Sequence, residues 1–315
     1  MLASVIAKKT GVTALYIEQL ARSASHFYKV YLIDKRHGDE KRIIQQPSRA
    51  LKFLQRWIVA NVIQDIPIHT AAAAYVKGSS VRKHAERHVT NNYLLRLDFQ
   101  QFFPSIKGSD IRRHLVKNRP HLHFVEEDTD IELLVAAVTR SGGLVIGAPS
   151  SPALSNQIMF QFDDLLHRWC ADSNVTYTRY ADDLYFSTRT PDVLRLAREK
   201  VLELLGSIEY PKLSLNDDKT VHTSRKKKRL VTGLSLSSDG KVSLGREKKR
   251  KIRSMIHKHK VVAGLESKER AYLAGYLAYA RSVEPEFIAS LVRKYGSETM
   301  RAVMTMSQAP RSGHQ

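Results

Sequence analysis

Apolar positions between Leu2 and Leu20 recur at helical spacing, with a break at Thr10-Gly11 and Thr13 placed to cap a second short helix. The stretch "KVYLIDKRHGDEKRIIQQPS" alternates apolar and polar residues on either side of His37-Gly38-Asp39, which predicts a hairpin ending at Pro47. In "RALKFLQRWIVANVIQDI", Leu51, Leu54, Trp57, Ile58 and Val62 share one face, the pattern of an amphipathic helix. "NNYLLRLDFQQFFPSI" reads as a strand that stops at Pro104, with Asp98 at or just past its C-terminal end. Asp110 to Asn118 and Asp130 to Arg140 read as helices, followed by the turn-rich "RSGGLVIGAPSSPALSN".

A helix over "NQIMFQFDDLLHRWCADS" leads into "TRYADDLYFS", whose apolar flanks predict two strands around Ala181-Asp182-Asp183. "TPDVLRLAREKVLELLGSI" then reads as a helix, "LSLNDDKT" as a turn with flanking strand, and "RLVTGLSLSSDGKVSL" as a hairpin across Asp239-Gly240. Gly245 to about Tyr295 is helical. Strands followed by helices, then hairpins, then a helical tail place the chain in the α+β class.

Composition adds a partner to this outline. The 315 residues carry 51 Lys and Arg against 31 Asp and Glu, a formal net charge of +20. Solubility needs far less, and the usual partner of such a surface is a phosphate backbone. Fourteen of these cations lie between Arg225 and Lys260, against Asp239 and Glu247 alone. The single cysteine, Cys170, cannot form an internal disulfide, and no Cys/His group has metal-site spacing, which argues against zinc. The N-terminus lacks a signal peptide's apolar core, and no uncharged apolar run is long enough to span a membrane. The chain therefore reads most simply as cytoplasmic and unanchored.

The paired carboxylates Asp182 and Asp183 raise a chemical question. Like charges at a hairpin tip raise each other's pKa unless a cation neutralises them, and oxygen-only donors suit Mg²⁺ or Mn²⁺. Asp98, at the end of another apolar strand, is the natural third ligand. Two ions about 3.5 to 4 Å apart on such carboxylates suit phosphoryl transfer. Taken alone, an Asp-Asp pair is more simply a turn, because turns favour Asp.

Other motifs shift that balance. Tyr180-Ala181-Asp182-Asp183, Leu97-Asp98-Phe99 running into Phe102-Phe103-Pro104-Ser105, Gly147-Ala148-Pro149-Ser150-Ser151-Pro152, Asn216-Asp217-Asp218-Lys219-Thr220 and Val231-Thr232-Gly233 occur in order. In kind and spacing they resemble the motifs of reverse transcriptases, and within them the bacterial retron type, from about Tyr31 to the mid-260s. The length leaves little room for an added RNase H, maturase or endonuclease domain.

The resemblance implies a right-hand polymerase with an antiparallel palm sheet and a helical thumb. Its expected segments are a helical element over 1–28, fingers over 29–92, a palm over 93–234 with an inserted fingers segment at about 106–145, and a basic thumb over 235–315. It implies that Asp98, Asp182 and Asp183 hold two Mg²⁺, with Mn²⁺ as the alternative, and that the backbone carbonyl of Phe99 is a further ligand. Phe103 corresponds to the steric gate that selects dNTPs; its other reading is core packing beside Phe102. Lys219 corresponds to the lysine near the triphosphate, or is a solvated turn residue. Arg42 and Lys77 sit where fingers supply cations to the nucleotide, and Gly147 belongs to the loop beside it.

Carried onto the basic cluster, the resemblance implies RNA contacts by Arg225, Lys226, Lys227, Lys228, Arg229, Val231, Thr232, Gly233, Arg246, Lys248, Lys249 and Arg250. His88 corresponds to a histidine with a structural or RNA-contacting role. Two departures stand out: Val145-Ile146-Gly147 replaces Pro-Gln-Gly, and His84 replaces an Asn. The implied activity is RNA-directed DNA synthesis on a cognate structured noncoding RNA, primed from a guanosine 2′-OH. The implied product is RNA-linked single-stranded DNA, within anti-phage defence that uses a separate effector protein. Open alternatives are an intron-type enzyme priming from a 3′-OH and a non-catalytic RNA-binding scaffold.

Overall fold

In the computed structural model the described residues are 2–34, 41–262 and 265–305. Helices α1 (Leu2–Thr10) and α2 (Ala14–Arg22) are separated at Gly11, whose φ is +73°, and the Thr13 side chain caps α2 by accepting from the Tyr16 N–H at 3.3 Å. Strands β1 (Tyr28–Asp34) and β2 (Lys41–Pro47) pair antiparallel from Tyr28↔Pro47 to Asp34↔Lys41; the expected turn at His37-Gly38-Asp39 lies outside the described residues. Ser48 caps α3 (Arg49–Asn61), which buries Leu51, Leu54 and Ile58 as its spacing requires. Gln55 is buried with them, and its amide nitrogen donates to the Tyr28 hydroxyl at 2.8 Å and to the Ala137 carbonyl at 2.9 Å.

After α4 (Val81–Glu86), strand β3 (Tyr93–Asp98) ends at Asp98, where the sequence places that residue, and short of Pro104. Gln101 turns the chain with φ +49°, and Phe102–Ser105 forms one helical turn, α5. The helices α6 (Gly108–Lys117) and α7 (Asp128–Val138) follow. The expected continuous helix after the turn-rich loop is two, α8 (Ser151–Ile158) and α9 (Phe160–Asp172), divided at Met159. The strands β4 (Thr176–Tyr180) and β5 (Asp183–Thr188) pair with Tyr180 opposite Asp183, and α10 (Val193–Ser207) packs against β5 and α9 with Leu194, Ala197 and Val201 buried. With β6 (Val221–Ser224) the sheet order is β4-β5-β3-β6.

The segment read as one hairpin is a three-stranded sheet, β7 (Arg229–Val231), β8 (Leu234–Leu236) and β9 (Val242–Ser243). Thr232 and Gly233 form an additional two-residue turn with φ of +46° and +77°, the left-handed pair that tight hairpins require. Helices α11 (Arg246–Val262), α12 (Ser267–Val283), α13 (Pro285–Tyr295) and α14 (Ser297–Thr305) complete the chain, so helix extends beyond Tyr295.

The chain forms two compact units, one of Met1–Gly78 with Leu95–Val221, the other of Ser79–Leu94 with His222–Gln315. In the second unit α4 packs on β7, β8, β9 and α12, a grouping that cuts across the expected boundaries at 92/93 and 234/235. Among the described residues no helix is long and apolar enough to cross a membrane.

His84 and His88 pack ring to ring within the second unit, at 5.6 Å, with 1% and 0% exposure. Burial, reinforced by Arg87, holds His84 down at about 3; burial, then His84 and Arg87, holds His88 well below its usual value. In the first unit burial and Lys117 bring His114 to about 4. A histidine depressed in the folded state contributes stability that is full above its unfolded pKa and is lost as pH falls toward the folded value. These histidines are therefore expected to lower the melting temperature on acidification from pH 7 toward pH 4, and His84→Asn to make the melting temperature fall less, or rise more, over that range than in the unaltered chain.

Candidate active site

The three aspartates come from β3 and from the β4–β5 turn. Asp98 is the last residue of β3, Asp182 is the second turn residue, and Asp183 opens β5. Ala181, the first turn residue, has φ +59°, and its small side chain lies buried. Backbone bonds lock these pieces together. The Phe99 N–H donates to the Asp182 carbonyl at 3.0 Å, the Asn216 N–H to the Asp98 carbonyl at 2.8 Å, and the Gln100 N–H to the Ser214 carbonyl at 2.9 Å. Phe99 anchors this junction in the core, stacked on Phe102 at 5.7 Å and edge-on to Phe162 at 5.8 Å.

The charges interact strongly. Burial raises the Asp182 pKa, Asp98 adds to the rise, and Lys219 and Arg42 oppose it. Asp183 is pushed up to about 6, first by burial, with Asp182 and Asp98 adding and Arg96 opposing. Its carboxylate lies 3.7 Å from Arg96 Nε and accepts from the Tyr185 hydroxyl at 3.2 Å. Lys219 reaches Asp98, with Nζ 2.7 Å from Oδ1. In this arrangement the lysine expected beside a triphosphate serves as counter-ion to a carboxylate.

The other expected nucleotide-side residues divide by environment. Phe103 is half-buried while Phe102 is 3% exposed, so the core place belongs to Phe102 and Phe103 keeps an accessible ring. Arg42 is exposed on β2 and acts electrostatically on both Asp182 and Tyr75. Lys77 is exposed two residues after Tyr75, which has φ +62°. Gly147, with φ +115°, has no room for a side chain: an added Cβ would stand 2.7 Å from the Gln45 carbonyl oxygen. The Gln45 N–H also donates to the Ile146 carbonyl at 2.9 Å, so this loop is fastened to β2 through backbone. The Ile146 side chain, at the place of the expected Gln, takes no part in that bond.

Tyr75, Arg96 and Tyr185 escaped the sequence reading. Arg96 was detectable in principle, since it lies two residues before Asp98 and strand alternation gives both the same side. Tyr75 carried no such signal, because "AAAAYVKGSS" has no periodicity.

The basic cluster also divides. Arg225, Lys226, Lys227, Arg246 and Arg250 are exposed. Lys228 lies 3.5 Å from Glu247. Lys248 donates to the Gly233 carbonyl at 2.7 Å, and Lys249 pairs with Glu284 and covers the Phe287 ring at 5.4 Å. Three expected RNA contacts need correction. His88, Arg229 and Val231 are 0%, 1% and 0% exposed, and therefore offer no surface to a ligand. Arg229 instead donates to the backbone carbonyls of Asn91, Leu236 (3.4 Å) and Ser237 (3.0 Å). Thr232 is half-buried and Gly233 exposed at their turn.

Comparison with known proteins supplies the family. The profile described as "Reverse transcriptase (RNA-dependent DNA polymerase)" matches residues 33–273. The chain is 38% identical over 296 residues to the Retron Ec83 reverse transcriptase of Escherichia coli, covering 91% of this chain and 93% of that protein. It is 32% identical over 305 residues to the Retron Ec73 reverse transcriptase of E. coli, covering 94% and 95%. Among solved structures, telomerase from Candida albicans in complex with a fragment of telomeric RNA aligns with a TM-score of 0.50 at 12% identity, over 91% of this chain and 56% of that one. That likeness concerns fold alone, and agrees with a right-hand polymerase built of helices and antiparallel sheets. The chain belongs to the reverse transcriptases, and within them to the retron type, as an RNA-directed DNA polymerase.

Proposed function

We propose that the chain copies a cognate structured noncoding RNA into single-stranded DNA that stays joined to that RNA, starting from a guanosine 2′-OH. The observation that carries the catalytic part is the drawing together of Asp98, Asp182 and Asp183 through the Phe99-to-Asp182 backbone bond. The kinship with retron enzymes supports the RNA-linked product and the priming hydroxyl. On the same footing, the enzyme acts in anti-phage defence with a separate effector protein. A polymerase that starts from a 3′-OH would use the same carboxylates, so the product itself has to discriminate.

Reverse transcriptases use a divalent metal, and the donor set here fits one. Among the described residues no group of three or more His, Cys, Asp or Glu side chains is arranged, as it stands, to hold a metal ion. The fit rests on charge and donor chemistry: oxygen donors only, two carboxylates with raised pKa values, and a lysine occupying the counter-ion position on Asp98. Asp98, Asp182 and Asp183 would hold two Mg²⁺, with the Phe99 carbonyl as a further donor. Bound there, such ions lower the pKa of an attacking hydroxyl and neutralise charge on the transferring phosphate.

The chain's own residues do the rest. Arg42 and Lys77 meet the triphosphate of the incoming dNTP, a task that needs positive charge more than fixed geometry. Lys219, released from Asp98, neutralises charge on the departing pyrophosphate. The Phe103 ring excludes a ribonucleotide 2′-OH. The exposed Arg225, Lys226, Lys227, Arg246 and Arg250, with Lys228 at their edge, bind RNA and the RNA–DNA hybrid through phosphates, a salt-sensitive contact.

The 5′ end of the DNA made on the cognate RNA tests the priming step. A 2′–5′ branch at a guanosine is expected, and an ordinary 3′–5′ junction contradicts the proposal. Asp183→Asn tests the electrostatics. A carboxylate whose folded pKa is raised weakens the fold above that pKa, and one pKa unit corresponds to ~1.4 kcal/mol. In metal-free buffer at pH 8, Asp183→Asn is therefore expected to raise the melting temperature by a few degrees while abolishing dNTP incorporation. A lower melting temperature counts against the electrostatic account.

A further inference from the structure

One buried cation stands directly before the catalytic turn. Arg179 on β4 has 0% exposure, and its guanidinium is gripped by Asp163 of α9: Nε lies 2.9 and 3.1 Å from the two carboxylate oxygens, and Nη2 lies 2.7 Å from Oδ2. The Tyr177 hydroxyl donates to Asp163 Oδ1 at 2.7 Å. The remaining arm, Nη1, donates to Asn156 Oδ1 at 3.1 Å and to the Ala181 carbonyl at 3.2 Å.

The last of these bonds gives the network a purpose beyond packing. A buried ion pair offers little net stability, because desolvation opposes the Coulombic gain. The Ala181 carbonyl, however, belongs to the peptide unit that joins Ala181 to Asp182. Ala181 is a non-glycine residue in the left-handed region, a conformation that persists where its surroundings over-determine it. Arg179 Nη1 fixes the plane of that peptide from below, while the Phe99 N–H holds the Asp182 carbonyl from β3. Between them the two bonds clamp the Asp182 backbone on both sides.

The same arginine reaches the nucleotide side. Its N–H donates to the Ala71 carbonyl at 2.8 Å, its carbonyl accepts from the Ala73 N–H at 2.7 Å, and Asn156 Nδ2 donates to the Ala74 carbonyl at 2.8 Å. The segment so held runs directly into Tyr75 and Lys77. Asn156 itself lies on α8, which follows the Gly147–Pro152 loop.

We propose that Arg179, held by Asp163 and Asn156, is a positioning residue that sets the Asp182 turn for divalent-metal binding and ties it to the Ala71–Ala74 segment leading to Lys77. The inference rests on the reading of Asp98, Asp182 and Asp183 as the metal-holding carboxylates. It concerns how one of them is aimed.

The test uses the full-length chain and two readouts: Mn²⁺ affinity without substrates, from the electron paramagnetic resonance of free Mn²⁺, and kcat and KM for dNTP on an RNA template. The pair Arg179→Met with Asp163→Leu replaces the buried charges by apolar side chains of similar volume, so the core stays filled while the donor to Ala181 is gone. This variant is expected to melt cooperatively, bind Mn²⁺ about 10- to 100-fold more weakly and lose kcat by a similar factor, the usual cost of removing a group that orients a metal ligand. Template RNA affinity should stay unchanged. Arg179→Lys keeps the charge toward Asp163 but loses the fork to Asn156 and Ala181, and should show the same weakening of Mn²⁺ binding. Should the paired variant fail to fold, Arg179→Lys decides alone. Mn²⁺ affinity and kcat within about twofold of the unaltered chain in the folded variant overturn the proposal. Asp182→Asn separates the two readings: unaltered Mn²⁺ binding in that variant would refute the carboxylate site itself.

Discussion

Carboxylates drawn to one end of a sheet repel one another, and that repulsion has to be balanced for β3 and the β4–β5 turn to stay joined. The balance is visible in the charges. Burial first, and the neighbouring carboxylates second, push Asp183 up to about 6 and raise Asp182 as well, while Lys219 sits on Asp98 and Arg96 stands 3.7 Å from Asp183. Backbone bonds hold the groups close in spite of the cost, with Phe99 bonded to Asp182 on one side of Asp98 and Asn216 bonded to Asp98 on the other. The protein thus maintains a concentration of negative charge that only a cation relieves fully. Much of the first unit follows from that requirement. The Phe99, Phe102 and Phe162 rings make a rigid floor, and the two-residue turn leaves Asp182 little freedom.

The second unit carries the basic cluster between Arg225 and Lys260. Its cations divide labour. Arg229, Lys248 and Lys249 turn to carbonyls, a turn and a glutamate, and so build the frame. Arg225, Lys226, Lys227, Arg246 and Arg250 remain exposed. Charge counted along the sequence therefore overstates the surface that phosphate can meet, and the buried members matter through folding.

How much was legible depended on the range of the interaction. The β4–β5 hairpin and its paired aspartates, the α1–α2 break at Gly11 and the cap at Thr13 were readable because alternation, glycine and caps act within a few residues. The place of Asp98 at the end of β3 was readable too, but the helical turn that follows it was not. "DFQQFFP" continues the apolar run, and the strand stops because Gln101 enters the left-handed region and Phe102–Ser105 winds into a helical turn. The break at Met159 was hidden for the same reason, since periodicity is uninterrupted across it. The Thr232-Gly233 turn was missed because Asp239-Gly240 gave the stronger turn signal nearby. Burial of His88, Arg229 and Val231, like the union of Arg179 with Asp163, depends on partners distant in sequence, and composition gives no hint of it.

The central claim is that Asp98, Asp182 and Asp183 form one cation site in which Lys219 holds the place of a metal. A crystal structure of the unaltered chain with Mn²⁺, read by anomalous scattering, tests it most directly. The account predicts density for Mn²⁺ in contact with all three carboxylates and the Lys219 ammonium released from Asp98. Mn²⁺ bound elsewhere, or Lys219 still paired with Asp98 beside an occupied site, would contradict it.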